Sequence, residues 1–388
     1  MNPVLAFTVV MGIWTVSDFL SSKSQGYISS LFVASIIFVV GFLTGIFPSD
    51  LLASSSLLAL AGVVVGFVIV HLGTVISVDD FKEQWRTVVV GISAVFGVAA
   101  ALFGIGSLFK GMDYVIAAIG ALTGRTVSVV IIQEAALAAG LVTVAAFPVL
   151  IAALEGLVGF PLTSILLRKE ALRLRADYRA GKLEPVKEEA AGSESSPKLP
   201  AALHGTVGTL FAVGIAVLVA QFVNDLTDGA LNTFVVCLIL GVLLRWAGIF
   251  KPSVLGGIDA YGLMITAILI MIFGPLASVT IADLQALAAP LAVAFAVGVA
   301  GIVAGSALVG KLFGFSVPMS ICIGLTAHYG FPGTLILSQE AAKAVGESED
   351  EVRAIEAEIL PRMIVAGFST VTITSVVVTG IFAGGIGR

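Results

Sequence analysis

Charge is scarce in this chain. Asp, Glu, Lys and Arg together make up 12% of its 388 residues, about half the share of an ordinary soluble domain. Histidine occurs three times and cysteine twice. Two cysteines as far apart as Cys237 and Cys322 make neither a disulfide framework nor a zinc-ligand spacing, and both are expected as small buried residues. No phosphate-cradling Gly-rich loop, zinc-ligand cluster or nucleophile elbow is present, and paired catalytic acids do not share a helix face. These gaps argue against an enzyme, an ATP-driven pump and a cofactor-bearing protein. The one long hydrophilic interval, 168–202, carries a basic run that fits a cytoplasmic loop better than a nucleic-acid surface. No basic segment precedes the first apolar run, so that run is expected as a retained helix.

Apolar residues fill the remaining space. They account for 58% of the chain, with a mean hydropathy of +1.11, and 43 glycines allow helices to approach closely. The composition predicts an all-α polytopic membrane protein. Runs long enough to span, at ~20 residues each, begin at about 4–20, 28–47, 54–77, 87–109 and 142–167. After the polar interval they resume at 203–223, 230–247, 258–277, 289–310 and 360–384.

The two halves repeat. A shift of 203 carries Gly45-Ile46-Phe47 onto Gly248-Ile249-Phe250, Asp80 onto Asp283, and Leu122-Thr123 onto Leu325-Thr326. Farther on the shift widens, and Gln133-Glu134-Ala135-Ala136 meets Gln339-Glu340-Ala341-Ala342. Late in each half an apolar approach breaks into small polar residues, at Leu122 to Ser128 and at Leu325 to Thr334. Backbone freed by such a break must face protein or a wet cavity, and paired breaks in two repeats point to a transporter's binding site. Counting each break as a re-entrant hairpin gives five spans per half. Nearly all Lys and Arg then fall on the cytoplasmic side, and an odd span count inverts the second half relative to the first. The expected layout is a first repeat over 1–167 with a hairpin at about 114–140, a cytoplasmic linker over 168–202, and a second repeat over 203–388 with a hairpin at about 316–346. Both termini lie outside a cell (inner) membrane that the chain crosses many times.

The order of spans and hairpins, the stretch Ala327-His-Tyr-Gly-Phe-Pro-Gly-Thr-Leu-Ile-Leu-Ser-Gln-Glu-Ala341, and Gly66-Phe-Val-Ile-Val-His-Leu-Gly-Thr74 with Val78-Asp-Asp-Phe81 carry a resemblance. The chain resembles the sodium/glutamate symporter family and, more distantly, the 2-hydroxycarboxylate (citrate) transporters. It departs at the first break, where that family has a Gly-Gly-His-Gly type of turn and this chain has Thr123-Gly-Arg-Thr-Val-Ser128. The resemblance implies symport of glutamate or a carboxylate with sodium, and a homodimer.

The breaks hold the candidate site residues. Arg125 is either an anchor for a substrate carboxylate or the partner of Glu134 or Glu155, because lipid cannot solvate it. His328 either donates to substrate, carries a proton, or bonds the backbone of its turn. Thr126, Ser128, Gln133, Tyr329, Thr334 and Gln339 complete the expected substrate contacts. Thr123, Gly124, Thr326, Gly330 and Gly333 are expected around a coupling sodium, which an unwound helix can hold through oxygen. Glu155, in mid-span, and His71 join His328 as proton-coupling candidates. The sequence thus predicts a secondary transporter of a small organic anion driven by sodium or protons, through elevator-like or rocking motion. A proton-linked exporter and a passive channel are its alternatives.

Overall fold

The computed structural model describes residues 1–76, 78–106, 111–183, 200, 203–227, 231–370, 379–380 and 382–387, with the side chains of 79–81 and 125–127 left aside. Among the described residues the chain is helical and contains no strand. The first half folds as α1 (Pro3–Lys23), α2 (Ser30–Leu43), the short α3 (Leu51–Ser54), α4 (Leu57–Val75), the short α5 (Val78–Glu83), α6 (Trp85–Gly104), α7 (Met112–Ala138) and α8 (Val142–Arg179). The second adds α9 (Thr206–Leu226), α10 (Thr233–Trp246), α11 (Tyr261–Phe273) with a 3-10 turn (Gly274–Ser278), α12 (Ile281–Leu312), α13 (Val317–Val345) and α14 (Glu349–Ser369). Among the described residues eight helices are long and apolar enough to cross a membrane: α1, α4, α6, α8, α9, α11 with its 3-10 turn, α12 and α13. Cys237 and Cys322 are buried and unbonded.

Local chemistry sets the helix starts. Asn2 accepts from the Val4 and Leu5 amides ahead of Pro3, and Ser29, Asn232, Ser316 and Ser348 each accept from an amide of the helix they precede. Such side-chain oxygens satisfy first-turn donors that no helical carbonyl can reach. Capping also moves two boundaries away from the hydropathy reading. Thr280 caps at Asp283, so α12 begins at Ile281 rather than 289. Ser348 followed by Glu349, Asp350 and Glu351 starts α14 well before 360, because acids favour a helix N-terminus even where hydropathy is low. A third correction concerns the linker. The fifth span and the start of the basic run after it are one helix of 38 residues, roughly 57 Å long against a hydrocarbon core of ~30 Å. Nothing between Leu167 and Arg179 breaks it, and it ends before Gly181 at φ +68°.

The helices group into two bodies. α6, α7, α8, α12, α13 and α14 pack on one another, while α4 gathers α9, α10 and α11, with α1, α2 and α3 attached beside them. The bodies meet where α2 and the 3-10 turn touch α8 and where α11 touches α13. Glycine permits the tightest seams within each body. A methyl on Gly97 of α6 would come within 2.2 Å of the Gly301 carbonyl oxygen of α12, and one on Gly73 of α4 within 2.3 Å of the Leu238 carbonyl oxygen of α10. The 203-residue shift that maps Phe38 onto Gly241 and Gly73 onto Leu276 leads to a different seam. There Phe38 of α2 meets Phe273 of α11 ring to ring, with centroids 4.9 Å apart, and Trp14, Phe42 and Phe47 surround the pair. Rings hold helices apart where glycines let them close. A cavity of 290 Å³ opens beside α2 and α11, against α1 and α13.

Candidate functional site

α8 serves as a ruler for both breaks. The second lies in α13, where Gly330 (φ 50°, ψ −158°) and Phe331 (φ −77°, ψ 141°) leave helical geometry ahead of Pro332. That Gly330 conformation is one only glycine adopts readily. Ser316, just before α13, donates its hydroxyl to Glu170 of α8 at 2.5 Å. Halfway along, the Tyr329 hydroxyl donates to Thr163 Oγ1 at 2.9 Å, and its ring lies 5.5 Å from that of Phe160. At the far end, Arg175 of α8 donates to the Val345 carbonyl at 2.9 Å. The two ends of α13 therefore meet α8 at residues five positions apart, while its middle reaches Gly159. A straight helix of 29 residues would place its ends roughly 43 Å apart.

The first break, expected at Leu122 to Ser128, falls within α7 (Met112–Ala138). Near its start, the Asp113 carboxylate accepts the Gly387 amide at 2.9 Å. Just past its end, the Ala139 β-carbon lies 2.8 Å from where a β-carbon on Gly387 would stand. One glycine thus touches both ends of a 27-residue segment. Gly120 packs on Ile132 in the same segment, so closely that a methyl there would come within 2.7 Å of the isoleucine. Tyr114 packs on Phe147 near the N-terminal end of α8, with centroids 5.3 Å apart.

Between these ends sit the expected site residues. His328 is fully buried; its ring makes no hydrogen bond of full geometry, but the Leu122 backbone of the first break lies within its reach. The hydroxyls of Ser128, Thr334 and Thr379 have no hydrogen-bond partner among the described residues. Buried polar groups are seldom left so, and with His328 these are the buried polar groups in and around the two breaks. His328 and Glu155 line one small cavity of about 10 Å³, near the lower limit for a single water. Thr326 donates to the Ile323 carbonyl at 2.7 Å and meets Thr370 Oγ1 at 3.2 Å. Thr123 donates back to the Ile119 carbonyl at 2.7 Å. Gly333 packs on the Tyr329 ring, and Gly367 of α14 packs on Thr334. Gly124 is buried within α7. The side chains of Arg125 and Thr126 lie outside the described residues.

Other candidates are engaged elsewhere. His71 accepts the Leu255 amide on Nδ1 at 3.0 Å and packs on Tyr261, with ring centroids 4.6 Å apart. It holds the loop ahead of α11. Gln339 donates to Glu356 at 3.2 Å, and Gln133 is half-buried beside an exposed Glu134. Sequence reasoning missed Thr163, Gly367, Thr370 and Thr379. Thr163 and Gly367 sit in apolar runs with no local signal, and only the packing brings them to the breaks.

The 290 Å³ cavity lies along the C-terminal part of α13, beyond the second break, and reaches the expected contact Gln339. Asp18 of α1 and Gln339, Glu340 and Lys343 of α13 line its walls, with Ser30 and Thr266 between them. A larger cavity, of 370 Å³, contains none of the break residues. Its charges are matched internally, Arg173 to Glu170 and Arg362 to Glu358 at 2.6 Å each.

Fold and site together define a class: an all-helical, multi-pass membrane protein with a buried polar centre. No protein-family profile matches the chain, and no curated protein matches it either.

Proposed function

We propose that this protein is a secondary transporter of a small organic anion, an amino acid or a carboxylate, coupled to sodium or protons. One observation carries the reading. Ser128 and Thr334 bury hydroxyls at the two breaks with no protein partner among the described residues, the buried ring of His328 has only the Leu122 backbone within reach, and a cavity lies along α13. Groups that a protein buries without satisfying them are suited to a ligand that completes them.

In this reading each broken segment is a re-entrant hairpin, and the two enter from opposite faces. The joint contact of Gly387 with Asp113 and Ala139 supports the first, and the contacts of Ser316 and Val345 with nearby residues of α8 support the second. Their tips converge on the middle of α8, and the halves form inverted repeats. The end carrying Arg168–Arg179 faces the cytoplasm, as the distribution of basic residues requires. Arg125 anchors the anion, with His328 opposite and with Thr126, Ser128 and Thr334 supplying hydroxyls. Thr123, Thr326 and the backbone at Gly330 and Gly333 take the coupling cation. The body built around α8 and α13 moves against the scaffold of α1–α4 and α9–α11. Proton-linked export is the second reading, favoured by the shared cavity of Glu155 and His328.

A ligand that binds only the folded state stabilises it by about 2.7 kcal/mol at a hundred times its Kd. Purified protein is therefore heated with amino acids and with di- and tricarboxylates, each with and without sodium. The expected result is a raised Tm for one class of anion, dependent on sodium or on pH and absent in His328→Ala. A Tm unmoved by every anion under all conditions would remove the anion reading.

A further inference from the structure

The turn between α1 and α2, residues 24–29, belongs to the scaffold by sequence, yet its contacts run to the other body. Arg168 of α8 donates Nε to the Gln25 carbonyl at 2.7 Å, and its guanidinium lies 4.2 Å from the centroid of the Tyr27 ring. Gly26 packs on Ala344 of α13, so closely that a methyl there would come within 2.7 Å of the alanine β-carbon. Two successive left-handed residues, Gln25 at φ 53° and Gly26 at φ 78°, shape the turn and present the Gln25 carbonyl to Arg168. Ser30, the first residue of α2, donates its amide to Glu340 of α13 at 3.0 Å, and its hydroxyl donates to the same carboxylate.

The chemistry of a helix start explains the last contact. First-turn amides have no acceptor within their own helix. Ser29 takes the Phe32 amide, and Glu340 takes that of Ser30. A carboxylate on one body thus caps a helix of the other, at the end where the helix carries partial positive charge. Beside this contact the bodies stand apart around the 290 Å³ cavity, whose wall includes Gly26, Ser30, Glu340 and Ala344. Hydrogen bonds and close packing thus border this cavity, in addition to the contacts of α2 and the 3-10 turn with α8.

We propose that the α1–α2 turn is a clasp. It holds the body of α8 and α13 against the scaffold in the arrangement with the cavity open, and it releases when that body moves. The proposal rests on the two-body transporter reading for the purpose of the motion, but its test uses no solute, so either can fail without the other. Ala344→Cys places a thiol beneath Gly26, while Cys237 and Cys322 are buried. Purified full-length protein is labelled with N-ethylmaleimide, and the rate at each cysteine is read by mass spectrometry. Slow labelling at 344 is expected with the clasp intact. Adding Arg168→Ala or Glu340→Ala should raise that rate about tenfold, as loss of a charge-assisted hydrogen bond from the closed side of an equilibrium implies. A thiol at exposed Val207, introduced as Val207→Cys, should label equally fast in all variants. An unchanged rate at 344 in both variants overturns the clasp. A rise matched by an equal rise at Cys322 also overturns it, because the whole fold would then have loosened.

Discussion

Segments 112–138 and 317–345 end in the same Gln-Glu-Ala-Ala sequence, but the molecule secures them in different ways. Beyond α13 a set of ion pairs braces the chain to α8: Arg175 to Glu347 at 2.9 Å, and Arg179 to Glu347 at 2.8 Å and to Glu351 at 2.6 Å. In its middle, Tyr329 is pinned to Thr163. The base of α7 is held by packing and by the Gly387 amide on Asp113. The related glutamates diverge as well, since Glu134 is exposed and Glu340 reaches across to Ser30. Among the described residues the second break is thus tied to α8 by more polar contacts than the first. Repetition in sequence does not impose equal anchoring, because anchoring depends on neighbours that the repeat does not copy.

The largest expected effect comes from wedging the second break off its support. A β-carbon on Gly159 would meet Tyr329 at 3.0 Å and the His328 β-carbon at 3.2 Å. Gly159→Leu should therefore cost about 1–3 kcal/mol or more from overpacking, seen as a large fall in Tm. An unchanged Tm would show that α13 is not braced there. A smaller loss is expected from Tyr329→Phe, which removes one buried hydrogen bond worth ~1 kcal/mol. If Tyr329 serves as a brace, the variant loses Tm but keeps the ligand-induced shift. Loss of that shift at unchanged Tm would return Tyr329 to the substrate contacts predicted from sequence.

The smallest effect concerns the ion pairs. Arg179, hydrogen-bonded to Glu351, holds that carboxyl below its ordinary value of 4.5, and the Glu347 amide adds to the shift. A carboxyl with a depressed folded-state pKa contributes stability that is fully present above about 4.5 and is lost as pH falls through the folded value. Glu351→Gln should therefore lower Tm slightly at pH 7 and flatten its decline below pH 4.5. Salt should diminish the difference, because Arg179 is half exposed. A decline equally steep in wild type and variant would show that the brace contributes nothing.

Much of the fold was legible because hydropathy reports directly on burial in lipid. The second break was legible too, since Gly330-Phe-Pro-Gly333 disrupts an apolar helix in any setting. Helix ends were less so. Composition changes from apolar to charged at Arg168 and Glu349, but helix propensity and capping do not follow hydropathy, so α8 runs on and α14 starts early. Roles fixed by distant partners were illegible. His71 stands alone among apolar neighbours in sequence, yet Leu255 satisfies it. Tyr329 beside a polar turn reads as a ligand contact until Thr163 meets its hydroxyl. The contrast between the Phe38–Phe273 ring contact and the close Gly73–Gly241 approach means little until the helices are seen to cross.

Coupled transport through a site at the two breaks is the proposed function of this protein. Its most direct test is uptake into proteoliposomes of the radiolabelled anion that raises Tm, with sodium and proton gradients imposed separately. Accumulation above the outside concentration is expected under one of the two gradients, falling to the level of protein-free vesicles in His328→Ala. Entry that only equilibrates, whatever gradient is imposed, and that is untouched by His328→Ala would contradict the account.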